Sequence, residues 1–579
     1  MKGKVLWLIL SCLILLALVL ASCQPAVVEE EEEVVPVEEE EEVVPVEEEE
    51  EVAPVEKGPQ YGGTIAIYVT QTGGFDPANV FNFWPSWILI YDGLVCEDWA
   101  KGPSGTGEGL LGANDTPDEF FIGWLAESWE QTDLYTVIYH LRQGVRFQDK
   151  PPVNGREFNA DDVVYNLNRF KEHEKSSWYQ SEVTVTKLDK YTVRFDSPEP
   201  NATAWKGGWT NMVIGAPEVA EEYGDMTDWR TVVGTGPFTV VDVVPESSIT
   251  YEKNPNYWLY DPLHPGNRLP YLDGLKALVI VDPATQEAAL RTGKIDRHSV
   301  GREAAESIRA TTPELMERRV FSVTSTIIHM RTDQELFGDR KVRQALSMAI
   351  DREAIAVDYY GGEAEILTWP YMPTAGEAYT PLDELPPEVQ ELYQYNPEKA
   401  KQLLAEAGYP NGFKTEITCR ARNVEILSIV KSYFDAIGVE TELNVVESGA
   451  YWSVVVGHTY KDMSISSWGN TLPIYGLVAN QCGYIYNYSV VCDERIDERR
   501  EKILETLDPQ ERARLYKEIG PYIIEQQYYI QLPVPFGYIF WQPWLKGYSG
   551  EIAFGTVNGW YGMYRFVWVD HELREKMGH

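Results

Sequence analysis

A mixed α/β or α+β body of three or four structural units is the fold class that this sequence predicts, and three features predict it. Strand-like and helix-like patterns interleave along the chain, with no tandem repeat in the body. Hydrophobic residues make up 44% of the 579 positions and aromatics 12%, enough to bury large cores at roughly 150 residues per domain. Six cysteines are too few to hold a chain of this length together by disulfides, so burial must hold it.

The first element is a leader. Lys2 and Lys4 precede a run of sixteen uncharged, mostly apolar residues from Val5 to Leu20, the form of a secretory signal. Leu20-Ala21-Ser22-Cys23 comes next and resembles the lipobox of bacterial lipoproteins. That resemblance implies removal of residues 1–22 and attachment of diacylglycerol to the Cys23 sulfur, which would anchor the mature chain to a membrane from outside the cytoplasm. A nine-residue unit, Glu-Glu-Glu-Glu-Glu-Val-Val-Pro-Val, then fills 29–37 and 38–46 and recurs at 47–55 with Ala53 in place of one valine. Like charges repel and the prolines favour extended backbone, so residues 23–56 read as a solvated tether. Its repeat region, 29–56, reaches at most roughly 90 Å at ~3.3 Å per residue. Residues 1–28 carry +2 and residues 29–56 carry −16, which leaves −27 of the net −41 for the body. So acidic a body excludes a nucleic-acid-binding protein, which needs a basic face to displace counterions from phosphates.

Within the body, Tyr135, Val137, Tyr139 and Leu141 alternate on one side of a strand, and Tyr191 to Phe195 repeats the pattern. Asn159 caps a helix whose apolar face holds Val163, Leu167 and Phe170. Asp339 opens a second helix with Val342, Ala345, Leu346, Ala349 and Ile350 on one side. Asn396-Pro397 starts a third, carrying Ala400, Leu403, Leu404 and Ala407 before the stop at Gly408. Asp508-Pro509-Gln510-Glu511 has the form of a capping box ahead of Ala513, Leu515, Tyr516 and Ile519.

Several short runs together resemble a known family. They are Leu125-Ala126-Glu127-Ser128-Trp129, Leu141 to Phe147 and Asn154 to Val163, then Gly234-Thr235-Gly236-Pro237-Phe238, Asn254 to Trp258, Tyr271 to Leu275, Thr292 to Asp296, Val342 to Arg352 and Asn396 to Pro410. In this order, from about residue 61 to the C-terminus, they are similar to the family-five extracellular solute-binding proteins, the dipeptide, oligopeptide and nickel binders of ABC importers. The resemblance implies a periplasmic-binding-protein-like class II fold of two lobes joined by a hinge, with an extra domain. By analogy, lobe I takes 57–98, 206–321 and 533–579, the extra domain 99–205 and lobe II 322–532. It implies capture of a peptide or peptide-like solute between the lobes and delivery to a membrane permease by a monomer, with no cofactor and no catalysis.

The same resemblance suggests site residues. An arginine after a second-lobe strand meets a peptide carboxylate in the peptide binders, and Arg420 or Arg422 stands at that place; a guanidinium can grip a carboxylate through two parallel hydrogen bonds. Those binders also carry an aspartate shortly after a tryptophan, to pair with the peptide ammonium. Here Trp468 is followed by Gly469, Asn470, Thr471 and Leu472, with no carboxylate. An amide does not neutralise a cation in a closed cleft, which brings an oligosaccharide or another organic solute into consideration. Trp84, Tyr91 and Trp468 are flat rings that suit such ligands, and core packing is the alternative for each. Cys482 and Cys492 resemble a disulfide loop of the dipeptide binders; Cys96 and Cys419 are left as a second pair or as two buried thiols. A hydrolase or surface adhesin is the reading from another class. The chain holds no His-Glu-x-x-His helix, Gly-x-Ser-x-Gly elbow or metal-spaced cysteine pairs, so no catalytic or metal residues are assigned.

Overall fold

The computed structural model describes residues 58–79, 86–105, 118–131, 133–172, 182–206, 212–321, 324–469, 473–552, 554 and 562–579. The expected leader, Cys23 and the Glu/Val/Pro tether lie outside the described residues. No helix among the described residues is long and apolar enough to cross a membrane.

Alternating burial builds the first sheet. Strand β1 (Thr64–Val69) turns Ile65, Ile67 and Val69 inward, each at most 2% exposed. It pairs in parallel with β10 (Gly274–Val279), and β9 (Ser248–Lys253) and β8 (Phe238–Val244) extend the sheet antiparallel in the order β1–β10–β9–β8. A short pair, β2 (Val95–Glu97) with β3 (Phe121–Gly123), leads into an antiparallel sheet. Its strands β4 (Ala126–Gln131), β5 (Thr136–Leu141), β7 (Thr192–Asp196) and β6 (Thr184–Asp189) lie in that order. Val137, Tyr139 and Leu141 face its core as their spacing predicts, but Tyr135 is exposed. The Asp133 carboxylate accepts from the Tyr135 and Thr136 amides, so residue 135 belongs to a turn and the strand begins one residue later. Helix α1 (Ala160–Glu172) packs on this sheet through Val163, Leu167 and Phe170, and the Asn159 side chain accepts from the Asp161 amide at 2.8 Å.

A third sheet holds β11 (Arg297–Val300), β19 (Val534–Trp541) and β12 (Met316–Phe321), with β19 between the other two; β14 (Ala364–Glu365) also pairs with β19. The fourth runs β16 (Val439–Val445), β15 (Phe413–Cys419), β17 (Met463–Gly469), β13 (Thr324–Met330) and β18 (Tyr529–Gln531). Helices α2 (Arg340–Met348), α3 (Pro397–Glu406) and α4 (Val424–Ala436) contribute Val342, Leu346, Leu404, Leu427 and Phe434 to its core. The three remaining predicted caps work as expected: Asp339, Asn396 and Asp508 accept from amides two or three residues on. Glu511 does not return the bond of a capping box, because Arg514 holds its carboxylate. Between them, α5 (Ser448–Val456), α6 (Glu494–Leu504) and α7 (Pro509–Gln526) complete this part of the chain.

Two of the motif runs, 234–238 and 254–258, meet at one carboxylate. Asp92 Oδ1 accepts from Trp124 Nε1 at 2.9 Å and Arg565 Nη1 at 3.0 Å, while Oδ2 accepts from Thr235 Oγ1 at 3.0 Å and Trp258 Nε1 at 3.2 Å. Burial works against the charge on Arg565, but the oxygens of Tyr257 and Asp92 outweigh it and hold its pKa above the usual arginine value. Gly234 and Gly236 flank Thr235 because the Ile90 carbonyl passes there; a Cβ on either glycine would collide with that oxygen.

Candidate functional site at the carboxyl edge of the fourth sheet

Strands β15, β16 and β17 run parallel, with Cys419 beside Val445 and Thr418 beside Ser464, so their carboxyl ends open on one edge. Ligands of open α/β sheets bind outside such an edge. Antiparallel β13 sets Thr324 and Ser325 against Gly469 and Trp468 at the same edge. The chain also crosses to the third sheet from there: β12 ends at Phe321 and β13 begins at Thr324, while β18 ends at Gln531 and β19 begins at Val534.

Arg420 is the first residue past β15. Its side chain lies under the start of α5, which Glu447 caps by accepting from the Gly449 amide at 2.7 Å. The guanidinium carbon is 4.7 Å from the centroid of the Tyr451 ring and 5.2 Å from that of Trp452. Arg420 is 7% exposed, and its Nε is buried with no hydrogen-bond partner among the described residues. Asn423 Oδ1, in the same turn, is also buried without a partner among them. Burial and the like charge of Arg422 both lower the Arg420 pKa. No carboxylate forms an ion pair with either arginine among the described residues. A desolvated cation held on two rings, with hydrogen-bonding capacity unspent, is suited to an incoming anion. Tyr451 is fully buried and its hydroxyl donates to the Ile465 carbonyl, whereas Trp452 stays 41% exposed.

The other expected site residues fall differently. Arg422 is exposed in the single turn Ala421–Asn423. Trp468 lies in β17, one residue from its end; its side chain, Asn470 and Trp84 lie outside the described residues. Tyr91 packs as core: it is 1% exposed and its hydroxyl donates to the Phe75 carbonyl at 3.0 Å. With Asp92, Cys96, Trp124 and Arg565 it lines a small pocket. Cys482 and Cys492 are joined by a disulfide, and Cys96 and Cys419 are free and buried. Burial pushes the pKa of the Cys96 thiol well above its ordinary value. No group of three or more His, Cys, Asp or Glu that could hold a metal ion is found among the described residues. Sequence reasoning missed Tyr451 and Trp452. The usable signal was Glu447, an N-cap directly after the β16 pattern, which puts the next helix and its two rings at the strand's carboxyl end.

Comparison with known proteins agrees with this architecture. The chain is 29% identical over 479 residues to heme-binding protein A of Haemophilus influenzae, covering 76% of this chain and 83% of that protein. It is 27% identical over 441 residues to the glutathione-binding protein GsiB of Escherichia coli, covering 71% of this chain and 80% of that one. In fold it is similar to the periplasmic binding protein DppA of Helicobacter pylori, solved with the peptide STSA, with a TM-score of 0.67 at 24% identity over 88% of this chain and 99% of that chain. Residues 121–474 match the profile described as "Bacterial extracellular solute-binding proteins, family 5 Middle". Mixed sheets, an open carboxyl edge beside two chain crossings, and a match over more than half the sequence place this chain in one group: it belongs to the family 5 bacterial extracellular solute-binding proteins.

Proposed function

We propose that this protein captures a peptide or peptide-like acid for an ABC importer, gripping a ligand carboxylate with Arg420 and steering it with Arg422. Members of the family are transport binding proteins rather than enzymes. The observation that carries the ligand reading is the Arg420 guanidinium, desolvated on Tyr451 and Trp452 without an acid partner among the described residues. A neutral oligosaccharide would leave that charge uncompensated, which favours an acid. Glutathione and haem, the ligands in the names of two relatives, both carry carboxylates.

In this reading lobe II is 322–532, lobe I is 57–98, 206–321 and 533–579, and the extra domain is 99–205. Sheet membership supports the division: β13 and β15–β18 share one sheet, β4–β7 another, and β1 with β8–β10 a third. Two pairings cross its boundaries: β2–β3 straddles 98/99, and β14 of lobe II pairs with β19 of lobe I. Rotation about the crossings at 321–324 and 531–534 then closes the lobes on cargo. The Leu20–Cys23 lipobox and the acidic tether hold the receptor near its permease. Isothermal calorimetry with a tripeptide acid and its C-terminal amide tests the grip. Arg420→Ala/Arg422→Ala should weaken the acid by at least about 30-fold, the scale for removing one partner of a buried charge pair, and leave the amide unchanged. Equal affinities of variant and parent for the acid would remove both arginines from the site.

A further inference from the structure

The fourth sheet has one apolar face and one polar face. Ile417, Cys419, Met463, Ile465, Ile328 and Ile530 point into the core that α2, α3 and α4 cover. On the other face the register sets four strands level. Thr418 stands beside Ser464, and Arg420, extended at φ −101° and ψ 159°, continues β15 to the level of Ser466. Ser466 pairs with Ile327, and Ile327 with Gln531. Paired residues share a face, so the side chains of Arg420 and Gln531 leave the same side of the sheet. Gln531 is 3% exposed, and Arg352 Nε donates to its carbonyl at 3.1 Å, which pins the end of β18. The Gln531 Nε2 donates to Ser325 Oγ at 2.8 Å, and Ser325 pairs with Trp468 one step nearer the carboxyl edge. The side chain therefore leans towards that edge, and its Oε1 is buried with no partner among the described residues. Between the two ends, Ser466 Oγ is already bonded to His329 Nε2 at 2.8 Å and Ile327 is apolar.

The level thus ends in a cation without an acid on β15 and an acceptor without a donor on β18. Three steps, from β15 to β17 to β13 to β18, separate them. At ~4.8 Å between neighbouring strands the span is roughly 14 Å, and both ends belong to one sheet, so its pairing fixes that span. An extended peptide covers the distance in about four residues at ~3.4 Å each. The Gln531 amide oxygen carries no net charge to offset an ammonium, so a neutral N–H is the donor that suits it. We propose that Gln531 is a specificity-determining residue that reads the far end of the cargo. With the cargo carboxylate on Arg420, Gln531 Oε1 accepts from a neutral N–H at the other end. The solute is then an N-blocked peptide acid of about four residues that lies across the strands at the carboxyl edge. The inference rests on the carboxylate grip of Arg420 and adds a length and a second recognised end.

Calorimetry of the full chain with N-acetyl-tetraalanine, N-acetyl-dialanine and tetraalanine with a free amine tests it. Gln531→Met has similar length but no oxygen acceptor. It should weaken N-acetyl-tetraalanine about tenfold and N-acetyl-dialanine less than about twofold, because the shorter acid does not reach from Arg420. Gln531→Glu places a charge at the same point and should move the ratio of affinities about tenfold towards the free amine. Equal losses of the two acetylated acids in the Met variant overturn the assignment of Gln531. An amine-to-acetyl ratio in the Glu variant equal to that of the parent overturns it too. Neither result touches the carboxylate grip, which the Arg420 and Arg422 titration tests separately. A parent that binds none of the three peptides overturns the peptide reading and this inference with it.

Discussion

Asp92 and Arg565 form an ion pair at 3.0 Å across 473 residues of sequence, with side chains 0% and 4% exposed respectively. The pair ties the C-terminal segment to the start of the body and supplies the acceptor for Trp124, Thr235 and Trp258. Asp92→Ala would strand the buried guanidinium and three donors. A loss of about 3–5 kcal/mol in urea unfolding is expected, and a change below about 1 kcal/mol would contradict the assigned role.

Trp452 offers its exposed ring beside the Arg420 cation, so it should sense the side chain adjoining the ligand carboxylate. Trp452→Ala is expected to weaken a tripeptide ending in phenylalanine about fivefold to tenfold, while one ending in alanine changes less than about twofold. Calorimetry of the two peptides against both proteins decides it, and equal losses would take the ring out of the recognition surface.

Acid should destabilise the fold through two buried histidines. His329 accepts or shares protons with Ser466 Oγ at 2.8 Å and Ser489 Oγ at 3.3 Å, and burial lowers its pKa to about 3. Burial, and then the charge of Arg297, lower that of His298 to about 4. The unfolded chain takes up these protons near pH 6.5 and the folded chain does not, so stability falls as pH drops from about 6.5 towards 3 to 4. Each group contributes about 1.4 kcal/mol per pH unit in that window. Urea midpoints at several pH values should show His329→Gln with a flatter decline than the parent; parallel declines would rule out a neutral His329.

The proposed lipidation rests on one sulfur, that of Cys23. Cys23→Ala should leave the exported protein without incorporated radiolabelled palmitate, whereas label entering the variant as in the parent would dismiss the lipobox.

Local patterns were legible because they depend on neighbours in sequence. The alternation of Val137, Tyr139 and Leu141 and the caps at Asp339, Asn396 and Asp508 are satisfied within a few residues, so one strand or one turn decides them. That Arg420 directly follows a strand was legible from the residues before it. Trp452 was not, since α5 is apolar on most sides and its periodicity does not say which ring faces outwards. Nor could spacing pair Asp92 with Arg565, or Asp118 with Arg512, because those meetings are set by how distant segments pack. Tyr91 shows the reverse: an aromatic residue in a promising stretch was taken up by the core through the Phe75 carbonyl.

The place of β19 between β11 and β12 has a consequence for biogenesis. The central strand of that sheet is synthesised after both of the strands it separates, as Arg565 is after Asp92. Until β19 is made, β11 and β12 lack the partner that joins them. A ribosome that stalls before residue 534 would leave β11 and β12 without the strand that completes their sheet.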